Sequence, residues 1–565
     1  MTTFKSMFVC PTIAAFLLIF LVACTNNGEE TTSLPSNNPN ADTNLKPNPD
    51  IMAKYDPPIT IKTIFEVNEA IKEQYSDLGL KNNLWNKAMK DELGINLVYK
   101  WITRSTEQSL QKVSIDIASG DLPDIFNVNI EQLALLSKAE LINKDLGPIY
   151  DQYASQLTKS IMKQEGNAAF QAAMSDGKLT AIPMTNSSGD AASFMWIRKD
   201  WLLQLNLQEP KNLDELHEVI KAFVKADLGK TGKPVGLMLS KDFLQQGAAE
   251  AIGIFNGFHA YPQTWINDSS GHLVYGSTLP EMKKALTYLQ TLYKEGLIEK
   301  DFAAKDWQRA TDAAAANRSG VEFGAMWNAM TPLQKTKDNF PDSDWRGLGI
   351  LSSDDQPAKA KINLNNENYI VVKKGFGHPE AVIKILNLFT EKSFGENMDE
   401  YNKFYNVGDG ITDPSKNPGL HYMPFRAWPT KKNLQAHENV VNALKTGDVS
   451  KLTPEQRGYY ENILKYKAGD NSMAQYEKVF GVTGSYNAMK MYYDKNLFMM
   501  DSFYGSLTET MKSKMKIISD KEMEYYTKVI MGVESVDNFD VFIQELNKIG
   551  LLQITKEVNE WNNNK

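Results

Sequence analysis

The sequence predicts an α/β protein with two or more domains, and three observations lead to this prediction. The chain has 565 residues, which is more than a single hydrophobic core accommodates. Segments of strand composition alternate with amphipathic helical segments, first from residue 59 and again after residue 212, as in proteins built on parallel sheets. Beyond residue 430 the hydrophobic spacing is mostly helical, which predicts extra helices in the C-terminal part.

The composition is that of an ordinary globular protein and argues against several partners. Hydrophobic residues make up 42% of the chain and charged residues 23%. The 69 acidic residues exceed the 61 lysines and arginines, so the chain lacks the basic excess that neutralises nucleic acid phosphates. The six histidines are scattered without metal-site spacing, so neither a metal nor a cofactor is predicted. The two cysteines rule out a disulfide framework.

The N-terminal segment has the pattern of a lipoprotein signal. Residues 7–23 are mostly apolar, and this stretch is too short for a comfortable transmembrane helix, so it indicates a signal peptide over residues 1–23. Its end, LVAC at residues 21–24, is similar to a bacterial lipobox. That resemblance implies cleavage after Ala23 and a diacylglyceryl group on Cys24. The alternative is an ordinary secretory signal with an incidental cysteine.

Acylation would hold the protein at a membrane. One acyl chain anchors only marginally, whereas two or three chains on Cys24 anchor durably. Residues 25–57 are rich in Asn, Thr, Pro and Ser and cannot bury enough apolar surface to fold. The lipidated cysteine and a disordered tether therefore occupy residues 24–57. We expect a lipid-anchored protein on the extracellular face of a cell membrane of the Gram-positive type.

The first folded elements alternate strand and helix. Residues 59–65 are apolar and β-branched, which predicts a strand, and residues 95–101 have the same composition. Between them, apolar residues recur at helical spacing over 84–93, and Gly94 suits the end of that helix.

A second set of elements continues this alternation along the chain. Ser105 and Gln108 predict a capped helix start, Gly120 its end, and residues 122–126 a short strand. The later predicted elements are a helix over 213–224 capped by Asn212 and Glu215, a buried strand at 235–239, a helix over 282–293 that stops at Gly296, and a helix that starts near Pro379.

Several short stretches together resemble one family. They are ASGDLPDIF at 118–126, DGKLTAIP at 176–183, WIRKDWL at 196–202, LYKEGLI at 292–298, HPEAVIKILN at 378–387, KVIMG at 528–532, NFDVF at 538–542 and EVNEW at 557–561. Their order and spacing are similar to those of the extracellular solute-binding proteins (family 1) of ABC importers, in the LplA or LipO type of lipoprotein. The resemblance covers essentially all of residues 58–562.

This resemblance implies a two-lobed, periplasmic-binding-protein-like fold (type II, Venus flytrap) with extra C-terminal helices. Lobe 1 would span residues 58–185, completed by about 322–367. Lobe 2 would span residues 186–321, completed by about 368–565, with some C-terminal helices able to span both lobes. The ligand would lie in the cleft, hinge closure would follow, and the closed form would meet the permease subunits. Relatives handle oligosaccharides, which implies a monomeric binding protein rather than an enzyme.

The residues that would hold a sugar combine aromatic rings with planar polar groups. Rings pack on the C–H faces of a sugar, and amides or carboxylates bond its hydroxyls. Ligands of open α/β sheets bind beyond the carboxyl ends of strands, which selects several of the polar residues. The candidates, led by Trp327 and Trp428, are Glu66, Asn68, Asn127, Asn129, Trp265, Trp327, Asn366, Asn368, Tyr369, Arg426, Trp428, Phe503, Tyr504 and Gly505.

Other conspicuous side chains have a structural interpretation. Trp85 and Trp201 lie on apolar helical faces and are expected in the core, and Trp561 is expected to dock the last helix. Asp124 is expected to bond local backbone at a turn, while the role of Asp121 stays open.

One loop departs from the family pattern at a metal site. Some relatives carry an acidic loop, resembling a calcium site, after the helix that corresponds to residues 213–226. Here the loop is DLGKTGK at 227–233, in which only Asp227 offers a carboxylate and two lysines intrude. Calcium takes six to eight oxygen ligands, so no ion is expected there.

The residues leave several functions open besides an importer subunit that prefers neutral oligosaccharides. The same fold could bind a peptide or another solute, or serve a surface signalling protein. An anchored glycoside hydrolase with two carboxylates is also open, although no GxSxG elbow or Walker A loop occurs in the sequence.

Overall fold

The structure, a computed structural model, describes residues 50–67, 83–405 and 422–564. Cys24, Asn68, the signal peptide and residues 25–49 of the predicted tether lie outside these residues. Residues 50–57, the rest of that tether, pack on lobe 1 instead of being disordered: the Tyr55 amide donates to the Leu93 carbonyl at 2.9 Å and the Tyr55 hydroxyl donates to Glu380 at 2.7 Å. Within the described ranges, no helix combines the length and apolar character needed to cross a membrane.

The strands form small sheets in which late segments of the chain pair with early ones. The strands are β1 Ile59–Glu66, β2 Ile95–Thr103, β3 Ile125–Val128, β4 Met174–Ser175, β5 Lys178–Leu179, β6 Ile182–Thr185, β7 Phe194–Arg198, β8 Trp265–Asn267, β9 Leu273–Tyr275, β10 Val321–Gly324, β11 Trp345–Leu348, β12 Ala360–Ile362, β13 Asn366–Val372 and β14 Phe498–Met500. β1 pairs with β2 and β12 with β14 in parallel, whereas β10–β7–β11 and β3–β13–β6 are antiparallel sheets.

The two three-stranded sheets therefore differ from the parallel arrangement that the alternation predicts, whereas the β1–β2 pair agrees with it. In the sheet β3–β13–β6 the central strand arrives from a later part of the chain and runs opposite to both neighbours. A parallel arrangement needs each strand to be followed by a crossover back to the same end. β13 instead follows a segment of the chain that comes from lobe 2. Its direction is therefore set by where the chain enters lobe 1, and not by a helical connection within lobe 1.

Helices make up most of the remaining structure. The α-helices are α1 Leu84–Ala88, α2 Thr106–Ser119, α3 Ile130–Lys138, α4 Gly147–Tyr153, α5 Gln156–Met162, α6 Ala168–Ala172, α7 Lys199–Gln204, α8 Leu213–Ala226, α9 Ile252–Gly257, α10 Glu281–Lys294, α11 Trp307–Ala315, α12 Gln334–Asn339, α13 Ala381–Phe394, α14 Met398–Phe404, α15 Lys432–Thr446, α16 Pro454–Lys467, α17 Ala474–Phe480, α18 Ser485–Asp494, α19 Glu509–Ile530, α20 Phe539–Leu546 and α21 Leu552–Asn563. The predicted extra C-terminal helices are thus confirmed.

Local signals placed most of the predicted helices correctly. The Ser105 side chain accepts a hydrogen bond from the amide of Gln108 at the start of α2, and Asn212 does the same for Glu215 at the start of α8. α1 continues as a π-helix, Met89–Leu93, that ends at Gly94, whose φ of 68° is the left-handed conformation that glycine tolerates.

Two predicted strands differ from the structure. The strand expected at 122–126 is instead β3 at Ile125–Val128. Residues 235–239 are buried as expected, but they form only isolated parallel bridges to Ser319 and Ile298.

The two lobes have separate hydrophobic cores. Lobe 1 packs residues from 61–184 with residues from 369–427, including the fully buried Trp85. Lobe 2 packs residues from 192–362 with residues from 434–558, including Trp201. Both tryptophans thus lie in cores, as the helical spacing predicts.

Two of the return segments complete the opposite lobes from those expected, whereas residues 434–558 belong to lobe 2 as expected. The core contributions of 322–362 belong to lobe 2, and those of 369–427 belong to lobe 1. The reason is strand pairing, because β10 and β11 hydrogen-bond to β7, whereas β13 inserts between β3 and β6.

Among the described residues, three crossing segments connect the cores, at residues 184–192, 362–369 and 427–434. They hydrogen-bond to one another: the amide of Asn186 donates to the Asn365 carbonyl at 3.1 Å, and the amide of Trp428 donates to the Thr185 carbonyl at 3.1 Å. The crossing segments therefore form one small bonded unit between the lobes.

Candidate functional site

Two adjoining cavities mark the candidate ligand site. The lobe-1 cavity, of about 410 Å³, is lined by Ile64, Phe65, Glu66, Thr106, Ser109, Leu110, Val113, Asn127, Val128, Asn129, Gln132, Met184, Asn368, Met423, Pro424 and Arg426. The interlobe cavity, of about 430 Å³, is lined by Asn129, Ile130, Gln263, Asn363, Leu364, Asn366, Asn368, Tyr369, Asp501, Phe503, Tyr504 and Gly505. Asn129 and Asn368 line both cavities, so the two are neighbouring parts of one cleft.

Strand geometry brings the lobe-1 residues together. β1 ends at Glu66, and β3 is followed by Asn129, so both polar residues emerge where a strand ends. β13 pairs Tyr369 with Val128, which sets Asn368 beside the end of β3. This is the strand-end position at which open α/β sheets bind ligands.

Asn129 is fixed by its role as a helix cap. Its side-chain oxygen accepts from the amide of Gln132 at 2.8 Å, and the Gln132 side chain accepts from the amide of Asn129 at 3.2 Å. This reciprocal capping box satisfies two amide donors at the start of α3. The cap therefore holds two polar side chains in fixed positions on the cavity wall.

Asn127 ties β3 to the loop that carries Arg426. Its side-chain nitrogen donates to the Pro424 carbonyl at 2.7 Å, across a large gap in sequence. Its side-chain oxygen is buried and has no hydrogen-bond partner among the described residues. An unpaired buried acceptor is costly, so this oxygen suits a ligand hydroxyl or a water.

Glu66 and Arg426 give the lobe-1 cavity one side chain of each charge. The Thr106 hydroxyl donates to Glu66 Oε1 at 2.6 Å, which directs this carboxylate toward the start of α2.

Tyr369 and Asn366 form a pair on β13. The Asn366 side-chain nitrogen donates to the Tyr369 hydroxyl at 3.2 Å, and burial raises the pKa of this tyrosine. Tyr369 therefore stays neutral and presents a hydroxyl and a ring edge to the interlobe cavity.

Lobe 2 closes the interlobe cavity with the segment that starts at Asp501. Asp501 Oδ1 accepts from the amides of Trp265 at 3.2 Å and Phe503 at 3.0 Å. Burial raises the pKa of Asp501 to about 6, and the nearby ammonium of Lys361 partly offsets this effect. The carboxylate thus fixes the turn that presents Phe503 and Tyr504.

Tyr504 and the residues after it reach across to lobe 1. The Tyr504 hydroxyl donates to Gln171 Oε1 at 2.9 Å, and its ring meets Trp561 edge-on with centroids 5.1 Å apart. The amide of Leu507 donates to Glu131 Oε1 at 2.6 Å. The segment 501–508 is therefore held by both lobes beside the cavity, and Trp561 supports it from α21.

The three tryptophans among the sequence candidates, of which Trp327 and Trp428 led the list, do not line either cavity. Trp428 packs among Phe389, Phe394 and Tyr405, with ring centroids about 6 Å apart. Trp327 packs against the core of lobe 2. Trp265 is buried against Tyr275, and only its backbone reaches the site, through Asp501. Aromatic composition alone did not distinguish packing from ligand contact.

Other sequence candidates do line the cavities. The structure brings together Glu66, Asn127, Asn129, Asn366, Asn368, Tyr369, Arg426, Phe503, Tyr504 and Gly505. The structure adds Thr106, Gln132, Gln263, Asn363 and Asp501. Asp501 lies two residues before the candidates Phe503 and Tyr504. This nearness in sequence was the feature that could have identified it as a cavity residue.

Acidic residues outside the cavities have local partners. Asp124 Oδ2 accepts from the amide of Lys62 at 2.7 Å, so it bonds backbone as expected, but on strand β1, 62 residues away, and not in its own turn. Asp121 forms an ion pair with Lys100 at 3.0 Å. In the loop after α8, the Asp227 carboxylate accepts from the amides of Thr231 and Gly232 of its own loop. Among the described residues, no cluster of three or more His, Cys, Asp or Glu side chains could hold a metal ion.

Comparison with known proteins identifies similar sequences. The profile of the family described as bacterial extracellular solute-binding protein matches residues 72–393, more than half of the chain. The chain is 26% identical over 270 residues to the fructooligosaccharide ABC transporter substrate-binding protein FusA of Streptococcus pneumoniae, covering 45% of this chain and 48% of FusA. It is 27% identical over 314 residues to lipoprotein LipO of Bacillus subtilis, covering 54% of this chain and 59% of LipO. The chain thus spans about half the length of these curated relatives.

A similar fold occurs among solved structures. An extracellular solute-binding protein from Bifidobacterium longum subsp. infantis superposes with a TM-score of 0.61 at 17% identity, covering 91% of this chain and 99% of that one. At this identity the likeness concerns the fold, and it confirms the two-lobed arrangement expected from the sequence.

Proposed function

Because the chain belongs to the family of bacterial extracellular solute-binding proteins, we propose that it captures an oligosaccharide in the cleft and delivers it to the permease of an ABC importer. The observation that carries this proposal is the interlobe cavity, which combines amide side chains with three aromatic residues contributed from both lobes. Amides bond hydroxyls and rings pack on C–H faces, which is what a sugar requires. The fructooligosaccharide-binding relative FusA supports the same ligand class.

The mechanism needs no covalent step. A sugar in the interlobe cavity contacts Asn366 and Tyr369 on β13 and Tyr504 on the segment from lobe 2, so it favours the conformation in which these residues approach. A ligand shifts a conformational equilibrium only by its difference in affinity for the two states. The three crossing segments are where the backbone would absorb the closing motion.

We also propose that the protein acts as a monomer held to the membrane through lipid on Cys24. The lipobox-like LVAC at residues 21–24 and the polar composition of the tether support this anchoring. Mass spectrometry of the membrane-extracted protein should show a diacylglyceryl-modified N-terminal cysteine. A protein that still begins at Met1, or one that is cleaved elsewhere and carries no lipid, would contradict the proposed anchor.

A thermal-shift screen of residues 25–565 tests the binding function. The panel holds nystose, maltotetraose, xylotetraose and tetragalacturonate, with tetrapeptides as controls. A ligand that binds only the folded state raises the unfolding midpoint in a saturable manner. A rise with one glycan class and no product would support the proposal. A rise with peptides alone would contradict the sugar ligand, and the appearance of shorter glycans would indicate a hydrolase.

A further inference from the structure

The interlobe cavity is lined mainly by uncharged side chains, many of them polar. Five of its twelve lining residues are amides and three are aromatic, and Asp501 is the only charged side chain among these described residues. The amides are Asn129, Gln263, Asn363, Asn366 and Asn368. Amide groups both donate and accept, which matches the paired donor and acceptor character of hydroxyls.

One buried cation beside this wall, Lys361, is already hydrogen-bonded to backbone carbonyls. Lys361 is 6% exposed, and its ammonium donates to the carbonyls of Pro262 at 3.1 Å and Gln263 at 3.4 Å. Lys361 does not line the cavity. A carboxylate brought into the cavity would therefore lose water without meeting a cation there, and an uncompensated charge in such a site is costly.

Asp501 adds a fixed negative charge to the same wall. Its carboxylate is anchored by two hydrogen bonds, in which Oδ1 accepts from the backbone amides of Trp265 and Phe503. Since burial raises its pKa only to about 6, the group is mostly ionised at pH 7.5. Because Asp501 lines the cavity, an anionic sugar unit bound there would be repelled by this charge.

We propose that the interlobe cavity accepts uncharged sugar units and that Asp501 excludes units carrying a carboxylate. This inference rests on the proposed oligosaccharide function and makes it more specific, since it separates neutral glycans from uronic acid polymers. The lobe-1 cavity contributes one acidic and one basic side chain among its described lining residues, Glu66 and Arg426, so it adds no net positive charge to the cleft.

The experiment compares matched glycans by calorimetry at pH 7.5 and low ionic strength. Nystose and maltotetraose are each paired with the derivative in which primary hydroxyls are oxidised to carboxylates. Xylotetraose, which has no primary hydroxyl, is paired with xylotetraose that carries a glucuronic acid branch, and tetragalacturonate is paired with its carboxyl-reduced counterpart. We expect at least one neutral glycan to bind and its acidic partner to bind at least 20-fold more weakly. An acidic glycan that binds as tightly as its neutral partner would overturn the inference while leaving the proposed function intact. Binding of no glycan would overturn both.

The variant D501N separates charge from loop position. Asparagine keeps a side-chain oxygen that can accept the hydrogen bonds from the amides of Trp265 and Phe503. Any shift of the loop would weaken the neutral and the acidic glycan together, so it cancels in the ratio of their affinities. The ratio of neutral to acidic affinity should fall at least fivefold, because the repelling charge is gone.

The variant D342N is the matched control, since it removes the same charge from an exposed loop residue that lines neither cavity. It should leave the ratio unchanged. Equal ratios in D501N, D342N and the wild type would overturn the role of Asp501, even if the protein binds only neutral glycans.

Discussion

Replacement of Trp428 by alanine should destabilise lobe 1 without weakening glycan binding. The indole packs against Phe389, Phe394 and Tyr405, at centroid distances of 6.0, 5.9 and 6.1 Å. Two of these neighbours are almost fully buried, with Phe389 0% and Tyr405 7% exposed. Removing the indole therefore leaves a void between aromatic rings that cannot close fully.

The magnitude follows from this packing. Truncation of a buried tryptophan to alanine costs about 3–5 kcal/mol, and the partial exposure of Trp428 places it near the lower value, about 3 kcal/mol. For a cooperative unit of about 150–250 residues, each kcal/mol lowers the thermal midpoint by roughly 2–4 °C. The expected shift is therefore roughly 6–12 °C.

Differential scanning fluorimetry and calorimetry with the glycan identified by the screen provide the assay. Trp307→Ala is the matched control, because Trp307 is also half-buried but has no ring contact with another described residue, so its loss should be less than half as large. The glycan dissociation constant of Trp428→Ala should stay within twofold of the wild type. An unchanged midpoint together with a tenfold weaker affinity would refute the packing role and return Trp428 to the cleft.

Three further perturbations test the crossing segments, the interlobe contact and the buried carboxyl groups. Gly189→Ala should lower the free energy of unfolding by about 1–3 kcal/mol, and with it the thermal midpoint, since the added Cβ would lie 2.5 Å from the Tyr493 hydroxyl. An unaltered midpoint would contradict this tight contact. Glu131→Gln should speed glycan dissociation two- to fivefold in stopped-flow fluorescence with little change in the association rate, because weakening the hydrogen bond from the Leu507 amide costs about 1 kcal/mol. A dissociation rate equal to that of the wild type would show that this contact does not retain ligand. Burial raises the pKa of Glu250 from 4.5 to about 8. The contribution of this carboxyl group to the free energy of unfolding is therefore greatest below pH 4.5 and falls as the pH rises to 8. Glu250→Gln should match the wild-type midpoint at pH 5 and exceed it at pH 8, and parallel pH profiles would exclude this linkage.

Part of the candidate site could be predicted because strand ends are local features. The positions of Glu66, Asn127 and Asn129 follow from strands β1 and β3, whose composition is visible in the sequence. Tyr504 was found through its resemblance to a cleft loop, and the structure places it at the interlobe cavity. The role of Asp501 could not be predicted, because its partner Trp265 lies 236 residues away.

The tryptophans show the opposite case. Loop position and polar neighbours favoured a ligand role for Trp428, but its neighbours Phe389 and Phe394 belong to helix α13, which packs beside it only in the folded chain. Nothing in the local sequence distinguishes an indole that packs on other rings from one that packs on a sugar, since both need the same apolar face.

The sequence by itself determined the helix ends, the strand compositions, the C-terminal helices and the family. These features depend on residues within one or two turns of each other, such as Ser105 capping α2 and Gly94 ending the helix before β2. Only the tertiary structure decided which return segment completes which lobe and how the interlobe cavity is lined. The reason is that strand pairing and cavity walls join residues far apart in the chain, so that β13 between β3 and β6, and Asp501 beside the Trp265 amide, are set by the folded whole.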